Sequence, residues 1–151
     1  MLEDFLRINK IDARIHFMPQ GTKTAEQAER AMVNSGLVIV KSIILMDSNS
    51  IPLLVVLRGQ DKVDFRKIKE ITGTKDVRLA EPYEVFKITG YEVGGVPPIS
   101  IYGVRTIIDI HASKLSEIIC GGGTQNHLLQ IKMKTVIENN EECEIKDVKK
   151  D

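Results

Sequence analysis

The sequence predicts an α+β fold: a single domain on a mixed, mainly antiparallel β-sheet with helices around it. Three observations carry that expectation. Segments of helical and of strand periodicity interleave without the regular βαβ alternation that marks a parallel sheet. Two apolar runs, Leu37–Met46 and Ile51–Leu57, flank the turn residues Asp47-Ser48-Asn49-Ser50 and read as a hairpin. The chain has 151 residues, 42% apolar and 28% charged, which suits one ordinary core without staples.

The elements follow in order. Leu2, Phe5 and Leu6 recur at helical spacing, so Leu2–Asn9 is a short amphipathic helix. Arg14–Met18 alternates and is read as a strand, ended by Pro19-Gln20-Gly21. Thr24 and Gln27 have capping-box spacing, so a helix with a small-residue face starts there and stops at Gly36. Leu37–Met46 is apolar on both faces, as in a central strand. Lys62–Thr72 is a surface helix with a net positive face, closed by Gly73, and Asp76–Leu79 is a short strand. Pro82 fits a first helical turn, which predicts a helix over Glu81–Ile88. Ile99–Tyr102, Thr106–Ile110, Glu117–Cys120 and Leu128–Lys132 are read as strands, and Met133–Glu138 as a last helical turn or two. No internal repeat or linker is visible. Residues 1–138 form the expected domain, and the polar stretch 139–151 is expected to be a solvated or loosely attached tail.

Composition narrows the function classes. Lys+Arg and Asp+Glu each number 21, so the net charge is zero. A strong nonspecific grip on nucleic acid is therefore not expected, although a small footprint on one RNA end is compatible. Cys120 and Cys143 form no metal or redox motif, and reduced thiols of a cytoplasmic protein are the expectation. The acidic N-terminal stretch lacks an apolar signal core, and no run approaches membrane-helix length. Neither a metal nor a cofactor is implied.

Two features stand out against this background. Lys41 interrupts the apolar strand and shares a face with Leu37, Ile39, Ile43 and Leu45. A lysine there either snorkels to water or meets an anion or a partner, because an unpaired buried charge is costly. The second feature is the stretch from Lys87 to Ser100, which holds Gly94-Gly95 and Pro97-Pro98. It is either a tight connection or a stiff loop with a few bare amides beside it, able to cup an anion or a developing oxyanion. Gly121-Gly122-Gly123-Thr124 lacks the spacing of a phosphate loop and reads as a tight turn. His127 follows it. Asp109 is open between an exposed position and one that orients Lys41.

The segment Thr89-Gly90 … Gly94-Gly95-Val96-Pro97-Pro98-Ile99 resembles the Gly-x-x-x-Pro loop of the YbaK/ProX family. These are aminoacyl-tRNA deacylases related to the editing domain inserted in bacterial prolyl-tRNA synthetases. Thr24-Ala25-Glu26-Gln27-Ala28, Val38-Ile39-Val40-Lys41-Ser42, and Gly121-Gly122-Gly123 with His127 fit in the same order, over residues 10–137. The resemblance implies a curved, partly closed sheet. It also implies hydrolysis of the ester that joins a wrong amino acid to the terminal ribose of tRNA, with alanine or cysteine on proline tRNA as the usual targets. Under that reading Lys41 holds the acceptor end, and Gly94, Gly95, Val96 and Pro98 shape the oxyanion loop. Gly121 and Gly122 form the pocket wall, and His127 selects the amino acid. Ser42, where threonine is common in one branch, is a candidate substrate contact. The ribose hydroxyl and a positioned water would do the proton work. The expected partners are the aminoacyl-tRNA acceptor end and a synthetase. Two alternatives stand beside this reading: a non-catalytic module that binds an aminoacyl or tRNA end, and a small-molecule esterase using the same loop.

Overall fold

A computed structural model of the chain describes residues 1–19, 21, 36–140 and 142–151. The helix expected to start at Thr24 lies outside the described residues. The elements are α1 (Leu2–Ile8), β1 (Arg14–Phe17), β2 (Val38–Asp47), β3 (Pro52–Arg58), α2 (Phe65–Thr72), β4 (Val77–Leu79), α3 (Pro82–Thr89), β5 (Arg105–Asp109), α4 (Ile110–Ser113), β6 (Glu117–Gly121), β7 (His127–Lys132), α5 (Met133–Glu138) and β8 (Glu144–Lys146).

The strands join in the order β1-β7-β6-β2-β3-β5-β8, with β4 also on β2. Pairs β1/β7, β2/β3, β2/β4 and β6/β7 are antiparallel, and β2/β6, β3/β5 and β5/β8 are parallel. The sheet is therefore mixed, as expected, and it does not close, because β1 and β8 are its two ends.

Strand β2 organises the sheet. One of its edges carries β3 from Val40 to Met46. The other edge is shared: β6 takes Val38 and Ile39, and β4 takes Leu45 to Asp47. Between them, that edge of β2 has no strand partner among the described residues. This notch lies at Val40–Ile43.

Strand alternation sends apolar side chains to both faces. One face carries Val40, Ile44, Val56, Ile108, Ile118, Cys120, Leu129 and Ile131, covered by Leu2 and Leu6 of α1, Val85 of α3, and Met133 and Val136 of α5. The other carries Leu45, Leu53, Val55, Leu57 and Ile107 under Ile68 of α2. On that second face a separate small cluster groups Ile119 and Leu128 with Met18, Leu37 and Ile39.

Local chemistry fixes the helix ends. Asp64 caps α2 by accepting from the N–H of Arg66 at 3.0 Å, and Gly73 closes that helix in the left-handed region. Helix α3 opens on a reciprocal capping box of Glu81 and Glu84 with Pro82 in its first turn, and ends at Gly90.

Two expectations are corrected. Ile99–Tyr102 is not a strand: Ser100 has φ of +68° and the segment is a series of bends. Ile99 is fully buried all the same, which is why its apolar character misleads. The stretch 139–151 is not a loose tail. Its β8 runs parallel to β5, Val148 is fully buried, and the N–H of Lys150 donates to the carbonyl of Lys62 at 2.7 Å. Among the described residues, no helix is long and apolar enough to cross a membrane.

Candidate functional site

Two glycine segments meet backbone to backbone at the end of β6. Gly94 takes φ of +89°, so the chain reverses there, and the Gly95 N–H donates to the Glu92 carbonyl at 2.9 Å. The Gly95 carbonyl then accepts from the Gly123 N–H at 2.8 Å. A Cβ on Gly95 would come within 2.8 Å of the backbone of Thr124, and one on Gly121 would overlap the carbonyl oxygen of Val96. Gly122 is packed as closely, with the carbonyl carbon of His127 2.6 Å from where its Cβ would be. Only residues without a side chain fit this joint.

The loop is more enclosed than expected. Gly95 to Ser100 are all buried, Pro97 and Pro98 included. Asn140 reaches from beyond α5 to donate to the Pro98 carbonyl at 2.9 Å, and Ser100 Oγ lies 2.9 Å from the Tyr91 hydroxyl. The expectation of several bare amides is narrowed, because the Gly95 N–H is already used. Among the described residues, the N–H groups of Gly94 and Val96 have no hydrogen-bond partner. The Val96 side chain belongs to the first-face core, whereas its carbonyl fills the space on the Gly121 side. By alternation from Ile119, that side is the second face.

Lys41 projects from the same second face, between Ile39 and Ile43 of β2. Its ammonium donates to the Gly59 carbonyl at 3.2 Å. Burial lowers its pKa; the Asp61 carboxylate pulls it back up and the Lys62 ammonium adds to the lowering. Parallel pairing of Ile39 with Ile119 brings Lys41 and the Gly121 end of β6 to the same level of the sheet, beside the notch. The turn that receives Lys41 is itself tied down. Gly59 N–H donates to the Ile39 carbonyl at 2.8 Å, and Arg58 forms a forked pair with Asp61 at 2.7 and 3.3 Å.

Ser42 and His127 turn the other way. Ser42 lies on the first face with Val40 and Ile44, and among the described residues its buried hydroxyl has no partner. His127 lines a cleft of about 220 Å³ with Leu2, Tyr91, Gly122, Gly123 and Thr124. Its Nδ1 is 2.6 Å from Thr124 Oγ1, and its ring packs on Phe17. The structure thus brings Gly94, Gly95, Val96, Gly121 and Gly122 together and puts Lys41 at the same level of the sheet on the neighbouring strand β2, with its ammonium turned to Gly59. It places Ser42 and His127 on the opposite face from the lysine.

The family model of the aminoacyl-tRNA editing domain matches residues 19–138. The chain belongs to this family. The editing domain is 30% identical over 105 residues to a proline–tRNA ligase of Halalkalibacterium halodurans, an overlap covering 69% of this chain and 18% of the ligase. It is 28% identical over 116 residues to the uncharacterized protein YwhH of Bacillus subtilis, covering 76% of this chain and 73% of that protein. Among solved structures, a hypothetical protein superposes with a TM-score of 0.88 at 29% identity, covering 99% of both chains. A candidate trans-editing enzyme for prolyl tRNA synthetase superposes with a TM-score of 0.79 at 26% identity, covering 92% of this chain and 87% of that one.

Other groups of the editing domain are accounted for by structure. Cys120 is fully buried, and burial pushes its thiol far up, which removes it as a nucleophile. Asp109 does not orient Lys41. It is fully buried, its Oδ2 accepts from the His111 N–H at 3.0 Å, and its Oδ1 accepts from the Val148 N–H at 3.0 Å. With His111 and Asp147 it groups three possible metal donors within 4.8 Å of one another, but its carboxylate already holds the tail. Sequence reasoning missed Arg58, Asp61, Thr124 and Asn140. The signal for the first two is an acid three residues after an arginine across the glycine of a turn, Arg58-Gly59-Gln60-Asp61.

Proposed function

We propose that this domain removes a wrong amino acid from tRNA in trans, by hydrolysing the aminoacyl ester, with alanine or cysteine on proline tRNA as the substrates. The observation that carries the reading is the glycine joint at the end of β6 with Lys41 on the adjoining strand. Membership of the editing family and the likeness to the candidate trans-editing enzyme support it.

The chemistry needs little from side chains. An ester is already an activated acyl group, so water positioned by the substrate's own ribose hydroxyl can attack it. The charge that develops on the carbonyl oxygen then needs donors fixed in advance, and the unused N–H groups of Gly94 and Val96 are suited to this. One such donor supplies roughly 3 kcal/mol of transition-state stabilisation. The Lys41 ammonium holds a phosphate or the aminoacyl group of the acceptor end, acting as a cation and not as a base.

The test is deacylation of tRNA charged separately with alanine, cysteine, serine and proline, by the wild type and by Lys41→Ala. Rapid loss of one noncognate amino acid, abolished by the substitution, is the expected outcome. Background rates across the panel with a folded protein would reject hydrolysis. A second reading, an aminoacyl-end binding module acting with a synthetase, is favoured by the enclosure of Gly95 to Ser100. It predicts binding of an aminoacyl-adenosine mimic without turnover.

A further inference from the structure

We propose that Arg58 keeps the Lys41 ammonium available for an anionic ligand by holding the Asp61 carboxylate away from it. For its consequence in catalysis the proposal rests on the editing reading; for the charge arrangement it does not.

The turn after β3 brings three charges to one place. Lys41 spends one donor on the Gly59 carbonyl, and among the described residues it makes no other hydrogen bond or ion pair. Asp61 is two residues further on, close enough for its charge to act on Lys41. Its side chain is only 10% exposed. A carboxylate so enclosed requires a cation, because leaving one unpaired is strongly unfavourable. Arg58 meets that need with a forked pair, Nε to Oδ2 at 2.7 Å and Nη2 to Oδ1 at 3.3 Å, and the turn is closed by the Asp61 N–H on the Arg58 carbonyl at 3.0 Å. The planar guanidinium occupies both carboxylate oxygens at once, which a lysine ammonium does not do with the same geometry. Asp61 therefore favours the charged form of Lys41 from a distance without closing on it, and two of the ammonium's three donors have no partner among the described residues.

Two other groups bear on this balance. Lys62 is exposed, and its charge opposes that of Lys41. Asp109 acts on Arg58 from β5 but is fully engaged with His111 and Val148. If Arg58 is removed, Asp61 is left to pair with Lys41, whose ammonium the Gly59 carbonyl already holds at this turn, while Lys62 is exposed. The resulting ion pair would occupy the donors that a ligand needs. Arg58 is thus a positioning residue, and Asp61 is the group it restrains.

The experiment is a direct titration of Lys41, observed by NMR after 13C-methylation of the lysines and assigned by its loss in Lys41→Arg. It is run on the wild type, Arg58→Met, Asp61→Asn and the double variant. Arg58→Met is expected to raise the Lys41 pKa by about one to three pH units, the size of effect of an opposite charge moved into contact. The double variant should bring it to or below the wild-type value, and so should Asp61→Asn alone. Should Arg58→Met not fold, Arg58→Lys replaces it, with the same expected direction. A Lys41 titration unmoved by either Arg58 variant, or a rise that persists when Asp61 is also replaced, overturns the proposal. The kinetic arm measures kcat/KM on the charged tRNA. A fall of about tenfold in Arg58→Met, recovered in the double variant, is expected. If the titration moves as stated and the wild type deacylates nothing, the editing reading fails and the charge arrangement stands.

Discussion

At the scale of single residues, Lys41 combines two properties that stability alone would not select. It stands among apolar side chains, and burial lowers its pKa. The unfolded chain therefore holds this proton more firmly than the folded one, so stability rises with pH through the interval just below the ordinary lysine value of 10.5. In its charged form this lysine is a burden on the fold. Lys41→Met is expected to raise Tm and, on the reading proposed above, to abolish deacylation; a lower Tm in a thermal melt would count against it. Gly121 makes the complementary case. Gly121→Ala would drive a methyl group into the Val96 carbonyl, which is backbone and cannot swing aside. A loss of about 1–3 kcal/mol in denaturant unfolding, the usual cost of overpacking, and a lower kcat are expected. Lys41 and the paired glycines were legible in the sequence because a lysine in an apolar run and a Gly-Gly-x-Pro-Pro stretch are anomalies of pattern. Arg58 and Asp61 were not, since opposite charges three residues apart are commonplace on any surface. What sets this pair apart is its burial, which a linear pattern does not record.

At the scale of elements, the link between β4 and α3 has its own pH response. Glu84 accepts from both Arg78 nitrogens, at 2.7 and 3.0 Å, and from the N–H of Glu81 at 2.8 Å. The Arg78 hydrogen bonds first, then the backbone one, hold its carboxyl down at about 2 from an ordinary 4.5. A depressed carboxylate pKa means that its stabilising effect is complete above 4.5 and is lost as pH falls toward 2. Hydrogen exchange should show the first turn of α3 opening over that window, and Glu84→Gln should flatten the dependence; an identical profile in the variant would refute this role. The elements were legible in proportion to their apolar signal. Strand β2 is rich in β-branched residues on either side of Lys41-Ser42, and α3 announces itself with Pro82 and Gly90. The Ile99–Tyr102 expectation failed because burial of Ile99 is achieved by a loop, with Ser100 in a backbone region that interrupts any strand. Strand β8 was invisible because its pairing uses backbone groups, and one deeply buried valine in a charged segment leaves almost no compositional trace.

At the scale of the whole molecule, the last residues complete the second face of the sheet. Val148 joins the core under α2, Lys67 bridges to Asp147 and Asp151 at 3.2 and 3.1 Å, and Asp109 clamps the Val148 backbone. Removing residues 144–151 would expose the edge of β5 and forfeit the burial of Val148, roughly 1.5–3 kcal/mol for that side chain alone. A clearly lower Tm and a tendency to self-associate through the bared edge are expected, seen by melting and by size-exclusion chromatography; an unchanged melt and a monomeric profile would argue that the segment is dispensable.

The joint between the two glycine segments also limits how this protein can diversify. Its shape is drawn by carbonyl oxygens and amide nitrogens that every amino acid shares, and its few variable positions tolerate nothing larger than hydrogen. Mutation can break such a surface but cannot trim or enlarge it. Any change of shape here must leave this wall alone and vary the side chains around it, with His127 and Thr124 nearest to hand. If the joint holds the oxyanion as proposed, preference can drift while that device is inherited unaltered.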